Sequence, residues 1–149
     1  MMPRKVRQFM LMVLLPVVQL ASSQGIAGTW RTIDDKTGQA KALVEIYRKE
    51  DKLFGQIRRI LVRGREDARC EDCPGSLEGK PLVGMQILGG LKKTGKYSWE
   101  GDSLFDPEQG RFFRCRVWLD PKMPDELKVR GYWMIFHRTQ TWIRVPQPM

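Results

Sequence analysis

Histidine and cysteine are scarce in this sequence of 149 residues, and their scarcity limits the chemistry available to the chain. There is one histidine, His137, and there are three cysteines. A structural zinc site uses four Cys or His ligands, so Cys70-x-x-Cys73 with one further cysteine does not favour zinc. His137 is predicted to be a turn residue, although any serine–histidine catalytic pair would have to use it. The sequence has no Gly-x-Ser-x-Gly motif and no glycine-rich phosphate loop before a helix.

Carboxylates in an arrangement suited to acid–base catalysis are also hard to find. Asp34 and Asp35 begin a predicted turn that ends at Gly38, and Asp106 precedes Pro107 in another. We therefore expect no catalytic residues, no metal and no cofactor, and a protein that is not an enzyme. An unrecognised type of enzyme would need a pocket holding two carboxylates with strongly shifted pKa values.

Long apolar runs are missing after the first part of the chain. Three basic residues precede an apolar run over 9–20, and small residues follow at 21–23. This pattern is typical of a cleaved secretory signal peptide, which we predict over residues 1–23. A single domain would then occupy 24–149, in the periplasm or outside the cell, with no stable membrane insertion after cleavage. That compartment disfavours nucleic acid as a partner.

Acidic residues are outnumbered, at 17 against 26 lysines and arginines, and the formal net charge is +9. The predicted signal peptide holds three of the basic residues and no acids, which leaves +6 on residues 24–149. Basic and acidic residues alternate in places such as Arg65-Glu66-Asp67-Ala68-Arg69. This mixing favours an ordinary solvated surface over a dedicated site for polyanions.

What the sequence does contain is a succession of short alternating or β-rich runs separated by turn residues, which predicts an all-β protein. The predicted strands cover 26–33, 41–48, 53–62, 82–88 and 96–99, and three more contain 113–119, 127–135 and 139–145. The glycine- and proline-containing stretch from Arg63 to Pro81 interrupts this series. We predict a long loop there, with a possible role as a lid.

Trp30 and Arg144 lie on the first and last predicted strands. If the sheet closes on itself, the Trp30 indole can cover one mouth of the barrel while the Arg144 guanidinium stacks on it. We therefore predict an antiparallel barrel of about eight strands sealed by these two residues. Such a barrel is a container, so the central question becomes what it holds.

Arginines and aromatic residues share one face of the later strands. An interior that holds both suits a ligand with an apolar body and an anionic head. On this ground we predict five ligand-binding residues: Arg114, Arg116, Trp118, Arg130 and Tyr132. The alternative is an outward polar face, which is common in antiparallel sheets.

The cysteines leave more than one pairing open. An oxidising compartment favours a disulfide, and Cys70–Cys73 would close a short loop. A bond from either of them to Cys115 would close a loop of about 45 residues and stabilise the fold more. Cys115 alternates with apolar residues of its strand, which favours a buried thiol, so we favour Cys70–Cys73. Acids beside the pair would raise thiol pKa values, which disfavours redox catalysis.

Several short stretches spread over nearly the whole mature chain match one known family. They are Gly28-Thr29-Trp30, 32–38, 44–47, 53–57, 70–73, 80–84, Trp99, Asp106-Pro107, Gly110, 127–132 and 138–142. With these stretches the sequence resembles the bacterial secreted family called domain of unknown function 2147. The resemblance implies a calycin, the lipocalin-type antiparallel barrel, and it implies no established activity. His137 stands where members of that family usually have glycine, so a less sharp bend is expected there.

Two functions fit these observations. The first is a periplasmic or secreted, non-catalytic barrel that binds a small apolar or amphipathic, lipid-like ligand. The second is a filled barrel that contacts an anionic glycan, a lipid or a protein partner of the envelope through its basic surface. Filled and hollow eight-stranded barrels look alike in sequence, so the presence of a cavity separates the two.

Overall fold

Eight antiparallel strands form a closed barrel in the computed structural model, which describes residues 25–147. The strands are β1 (Gly28–Ile33), β2 (Ala40–Lys49), β3 (Lys52–Ile60), β4 (Gln86–Gly95), β5 (Ser98–Asp106), β6 (Arg111–Asp120), β7 (Met123–Trp133) and β8 (Phe136–Arg144). Each strand pairs with the next, and β8 pairs with β1. The predicted all-β barrel is thus confirmed, while the predicted signal peptide at 1–23 lies outside the described residues.

Turn chemistry explains the first two connections. The Asp34 carboxylate accepts hydrogen bonds from the backbone N–H groups of Lys36 and Thr37, both at 2.9 Å. These bonds hold the pKa of Asp34 below its usual value. Glu50 and Asp51 join β2 to β3 with φ values of 53° and 61°. Two consecutive positive φ values give the tight turn whose twist matches that of the flanking strands.

The middle of the sheet differs from the predicted boundaries. The structure has long strands β4 and β5, where the sequence predicted short strands over 82–88 and 96–99. Glycines weaken the local strand pattern here, and tertiary pairing overrides it. Gly101 shows their purpose, because a Cβ at this position would lie 2.8 Å from the Leu91 side chain. The absence of a side chain at Gly101 therefore leaves room for Leu91 of the neighbouring strand.

One end of the barrel, where β1 begins, is filled by side chains and is here called the closed end. Its buried residues come from nearly every strand and include Ile26, Trp30, Ile46, Leu53, Leu88, Leu91, Trp99, Val117, Leu119 and Leu127. They form one contiguous apolar cluster. Because several of them are completely shielded from solvent, this cluster supplies much of the hydrophobic stabilisation of the fold.

Trp30 and Arg144 lie side by side across the junction of β1 and β8. The guanidinium carbon of Arg144 is 4.2 Å from the centre of the Trp30 ring, within cation–π distance. The Trp30 indole N–H donates to the Ile26 carbonyl at 2.9 Å. The structure therefore places this pair in the arrangement predicted for a seal, at the closed end.

Arg144 also ties the chain segments around it together. Its side chain is only 7 % exposed, and it donates to the carbonyls of Gly25 at 2.9 Å and Pro124 at 3.1 Å. Its Nε lies 3.4 Å from a carboxylate oxygen of Asp125. Burial lowers the pKa of the Arg144 guanidinium, and Asp125 partly offsets that effect. One guanidinium thus links the start of the described chain to β7 and β8.

The loop between β3 and β4, here called the disulfide loop, is pinned to the barrel. A Cys70–Cys73 disulfide lies within it. The two cysteines pack with Met85 of the loop and Phe105 of β5 in a second small core. Further hydrogen bonds hold the loop internally, including Gly79 N–H to the Cys70 carbonyl at 2.8 Å. The loop is therefore packed against the barrel around its disulfide and is not a lid attached only at its two ends.

Cys115 is a buried free thiol on β6. Its burial raises the pKa of the thiol to about 12, and the carboxylate of Asp102 adds to the effect. At neutral pH the group is therefore a protonated, apolar part of the core.

Gly110 marks the place where the disulfide loop touches the turn between β5 and β6. Its φ is +63°, and a Cβ there would overlap the Asp72 carbonyl oxygen. We expect Gly110→Ala to lower the free energy of unfolding by about 2 kcal/mol, because a positive φ and a backbone clash add together. Urea denaturation of the purified variant measures this change.

Gly38→Ala is the matched control for that substitution. Gly38 has a similar φ of +72° but no atom near its Cβ position, so only the conformational cost of about 1 kcal/mol applies. Equal losses of stability in the two variants would contradict the proposed close packing of the loop.

Candidate functional site

A cavity of about 1050 Å³ occupies the half of the barrel away from the closed end and opens to solvent. We call its opening the mouth. It is surrounded by the turn after β1, the disulfide loop, the β5–β6 turn and the β7–β8 hairpin. The barrel is thus filled by side chains at the closed end and hollow towards the mouth.

The inner wall of the cavity is mainly apolar. The pleat of each strand turns alternate residues inward, so Ala42 and Val44 of β2 face Val129 and Gly131 of β7 across the same space. Further apolar side chains come from other strands, namely Ile57, Ile60, Ile87, Leu104, Phe113 and Trp142. Ala42 and Gly131 occupy little volume, which helps to keep the space open.

A few polar groups interrupt this wall. The Trp142 indole N–H donates to the Gln140 side-chain oxygen at 3.2 Å, and the Thr32 hydroxyl accepts from the Ala42 N–H at 3.0 Å. Both contacts are internal to the wall. The described part of the chain leaves no buried side-chain N or O atom without a hydrogen bond, so the deep wall presents a satisfied and largely apolar surface.

Two groups of ion pairs lie at the mouth, one around Arg138 and one around Lys41. Arg138 on β8 binds Asp35, with its Nε 2.7 Å from a carboxylate oxygen and a second short contact through Nη2. These hydrogen bonds hold the pKa of Asp35 below its usual value. Lys41 contacts Glu108 and lies 3.6 Å from Asp34. The acids of these pairs are therefore already neutralised by partners from other strands.

Arg111 differs from the other arginines of the mouth in having an aromatic neighbour, since Arg65 and Arg69 also form no ion pair within the described residues. Among residues 25–147 it forms no ion pair, and its guanidinium carbon lies 4.3 Å from the centre of the Trp133 ring. Both residues line the cavity. Arg111 is thus a positive charge held on an aromatic ring at the mouth, with hydrogen-bond donors still free for a ligand.

The mouth as a whole has no excess of one charge. The basic residues around it are Lys41, Arg65, Arg69, Arg111 and Arg138. The acidic residues are Asp34, Glu71, Asp72, Asp106 and Glu108. A charged ligand would therefore be selected by a particular residue and not by the general field of the mouth.

The five residues predicted to bind ligand lie on the outer surface of the barrel, and none of them lines the cavity. Arg116 and Arg130 pair across β6 and β7 and lie 5.5 and 5.1 Å from the Trp118 ring. Arg114 lies 4.8 Å from the Tyr132 ring. Their neighbours Cys115 and Val117 face inward, so the pleat turns these residues outward. The idea that one of these arginines holds an anionic head inside the barrel does not fit this geometry.

Arg111 and Trp142 line the cavity but were not among the ligand-binding residues predicted from the sequence. The alternation of inward and outward residues along their strands indicates both. Arg111 lies two residues before Phe113, and Phe113 shares a face with the buried Cys115. Trp142 is buried on β8 and lines the cavity, as does Gln140 on the same face of the strand. Counting in steps of two from one buried residue along each strand identifies both as inward-facing residues.

Asp34 and Asp106 take the turn roles that the sequence predicts for them. Asp106 accepts hydrogen bonds from the N–H groups of Glu108 at 2.9 Å and Gln109 at 3.3 Å. Within residues 25–147 no three His, Cys, Asp or Glu side chains are placed to hold a metal ion. No helix in this part of the chain is long and apolar enough to cross a membrane.

Comparison with known proteins agrees with this architecture. A family described as "Uncharacterized protein conserved in bacteria (DUF2147)" matches residues 28–144. A solved structure of protein HP1028 from Helicobacter pylori, described as belonging to the lipocalin family, aligns with a TM-score of 0.67 and 21% sequence identity. The alignment covers 80% of this chain and 82% of that one. No curated protein matches the sequence.

Proposed function

The chain belongs to the bacterial family DUF2147, and we propose from its cavity that it is a non-catalytic binding protein for a small apolar or amphipathic, lipid-like ligand. The observation that carries this proposal is the open cavity of about 1050 Å³ with an apolar wall. We further propose that the protein acts in the periplasm or outside the cell, because residues 1–23 have the pattern of a signal peptide.

The size and lining of the cavity support a small ligand. Pockets for small molecules are typically of about 300–1,000 Å³ and are lined by apolar and aromatic side chains with a few placed polar groups. The cavity lies at the upper limit of that range, which suits an extended aliphatic body. Its deep wall offers few free hydrogen bonds, so the buried part of the ligand is apolar.

The polar end of the ligand belongs at the mouth. Charged groups are confined to that end of the cavity, and most acids there already have partners. Arg111 combines a free guanidinium with an aromatic neighbour and lies where a ligand would emerge from the apolar wall. We therefore assign Arg111 as the contact for a carboxylate or phosphate head, in place of the outer-surface arginines considered from the sequence.

Binding of a fluorescent fatty acid and its uncharged methyl ester tests both parts of this proposal. The wild-type protein is expected to bind both probes, and Arg111→Gln to weaken the acid about tenfold, because a charged hydrogen bond is lost. The ester should be almost unaffected.

Arg116→Gln on the outer surface is the control, and it should bind both probes like the wild type. If the wild type bound neither probe, the lipid-binding proposal would be contradicted. Equal weakening of acid and ester by Arg111→Gln would contradict only the role given to Arg111.

A second candidate function rests on the outer surface. The sequence alternative of a completely filled barrel does not fit the open cavity, but its basic surface remains. Arg116, Trp118 and Arg130 form a stacked group on the outside of the barrel. Binding to envelope fractions that weakens with added salt and with Arg130→Gln would favour this contact with anionic partners.

A further inference from the structure

The hairpin between β7 and β8 ends in four consecutive apolar residues that face solvent. Trp133, Met134, Ile135 and Phe136 are 45%, 85%, 88% and 68% exposed. Single exposed apolar side chains are ordinary on a protein surface, but a contiguous group of this kind marks an interaction site. We call these four residues the hairpin tip.

The shape of the hairpin tip restricts its partner. Trp133 pairs with Phe136, and the two most exposed residues form the turn between them, with Met134 at a φ of 53°. The tip is therefore convex and narrow. Two copies meeting through four side chains would bury far less than the roughly 1,200–2,000 Å² of a stable protein interface. A soft apolar medium accommodates such a tip without a matching recess.

The hairpin tip is continuous with the mouth of the cavity. Trp133 and Phe136 line the cavity as well as facing solvent, whereas Met134 and Ile135 do not line it. Whatever covers the tip must therefore lie beside the mouth. A partner at this place can receive an apolar ligand without passing it through water.

Positive charge flanks the hairpin tip. Arg111 stacks on Trp133 at 4.3 Å, and Arg114 stacks on Tyr132 at 4.8 Å. Neither forms an ion pair within the described part of the chain. Of the acids on this side, Asp35 binds Arg138, and Asp106, opposite Arg111, accepts hydrogen bonds within its own turn. Arg111 and Arg114 therefore offer two positive charges beside the tip to a negatively charged partner.

From these observations we propose that the hairpin tip docks on a lipid bilayer containing anionic phospholipids. The apolar residues enter the boundary between headgroups and acyl chains, while Arg111 and Arg114 contact lipid phosphates. Tryptophan at this level suits the amphipathic membrane interface. The mouth then faces the bilayer. Exchange of ligand between bilayer and cavity rests on the proposed function, but the docking itself does not.

Co-sedimentation of the protein without residues 1–23 with vesicles tests the docking. Vesicles of phosphatidylcholine with phosphatidylglycerol are compared with vesicles of phosphatidylcholine alone. We expect the wild type to bind the anionic vesicles, and binding to fall at least tenfold in the double variant Met134→Asn, Ile135→Ser. Asparagine is chosen because it tolerates positive φ. Arg114→Gln should weaken binding to anionic vesicles and leave binding to neutral ones unchanged.

Met123→Ser is the matched control, because Met123 is also an exposed apolar residue on β7 but lies at the closed end. It should bind vesicles like the wild type. Failure of the wild type to bind anionic vesicles, or equal binding by the tip variant, would overturn the proposal. A wild-type dimer that the tip variant converts to a monomer would also overturn it, since a second copy would then cover the tip.

The same variants separate this inference from the proposed function. The fatty-acid probe is titrated without vesicles, and the tip variant should bind it normally because neither substituted residue lines the cavity. Vesicle binding by a wild type that takes up no probe would support docking while contradicting ligand binding. Probe uptake by a wild type that ignores vesicles would contradict docking alone.

Discussion

Replacing Trp30 with alanine is expected to lower the free energy of unfolding by about 3–5 kcal/mol, the usual cost of truncating a buried large aromatic residue. Trp30 is completely buried, so its loss leaves a void at the closed end. The Ile26 carbonyl also loses its indole donor, and Arg144 loses the ring on which it stacks. Urea denaturation followed by circular dichroism measures the change.

Trp118→Ala is the matched control for this prediction. Trp118 stacks between two arginines, but on the outer surface of the barrel. Its removal should cost about 1 kcal/mol, in keeping with an exposed cation–π contact. If Trp30→Ala unfolded at the same urea concentration as the wild type, the closed end would not be sealed in the way described.

Filling the cavity should abolish ligand binding while the fold survives. In the double variant Ala42→Trp, Val129→Trp, two indole rings enter the space from β2 and β7. We expect the fatty-acid probe to bind about a hundredfold more weakly, a loss of roughly 2.7 kcal/mol. The cavity opens to solvent, so the rings have room to enter without the severe strain of an overpacked core.

The control variant introduces the same two tryptophans on the outer face of the barrel instead of the inner face. Leu43→Trp, Lys128→Trp adds the same two rings to neighbouring positions of the same strands, where the pleat turns them outward. This variant should bind the probe like the wild type. If the two double variants bound the probe with equal affinity, the probe would bind outside the cavity. That result would contradict the proposed site.

The fold was predictable because the pattern of the sequence is regular wherever the barrel is regular. Asp34 carries turn chemistry that needs no tertiary context, because its carboxylate accepts hydrogen bonds from backbone N–H groups two and three residues later. Strands β6 and β7 alternate clearly between apolar and polar residues. The boundaries of β4 and β5 were missed because glycines there serve the close approach of neighbouring strands, as Gly101 does toward Leu91. This close approach exists only in the folded barrel, so the local sequence does not indicate it.

The candidate site was harder to predict than the fold. Trp30 and Arg144 lie together as expected, because both belong to strands that must meet if the sheet closes. The choice among Arg111, Arg114 and Arg116 depends on which face of β6 points inward. A shift of one residue exchanges the two faces. Because both faces of β6 carry aromatic residues, the sequence alone does not show which face points inward. The cavity itself depends on how side chains from opposite walls share space, which a linear pattern does not record.

The central claim is that the cavity holds an apolar or amphipathic molecule, and native mass spectrometry tests it most directly. The protein is purified from the producing bacterium without detergent and measured intact, and then after denaturation. The account predicts a discrete additional mass that is released on denaturation as a lipid-like species. A bare chain that also fails to take up added fatty acid would contradict it.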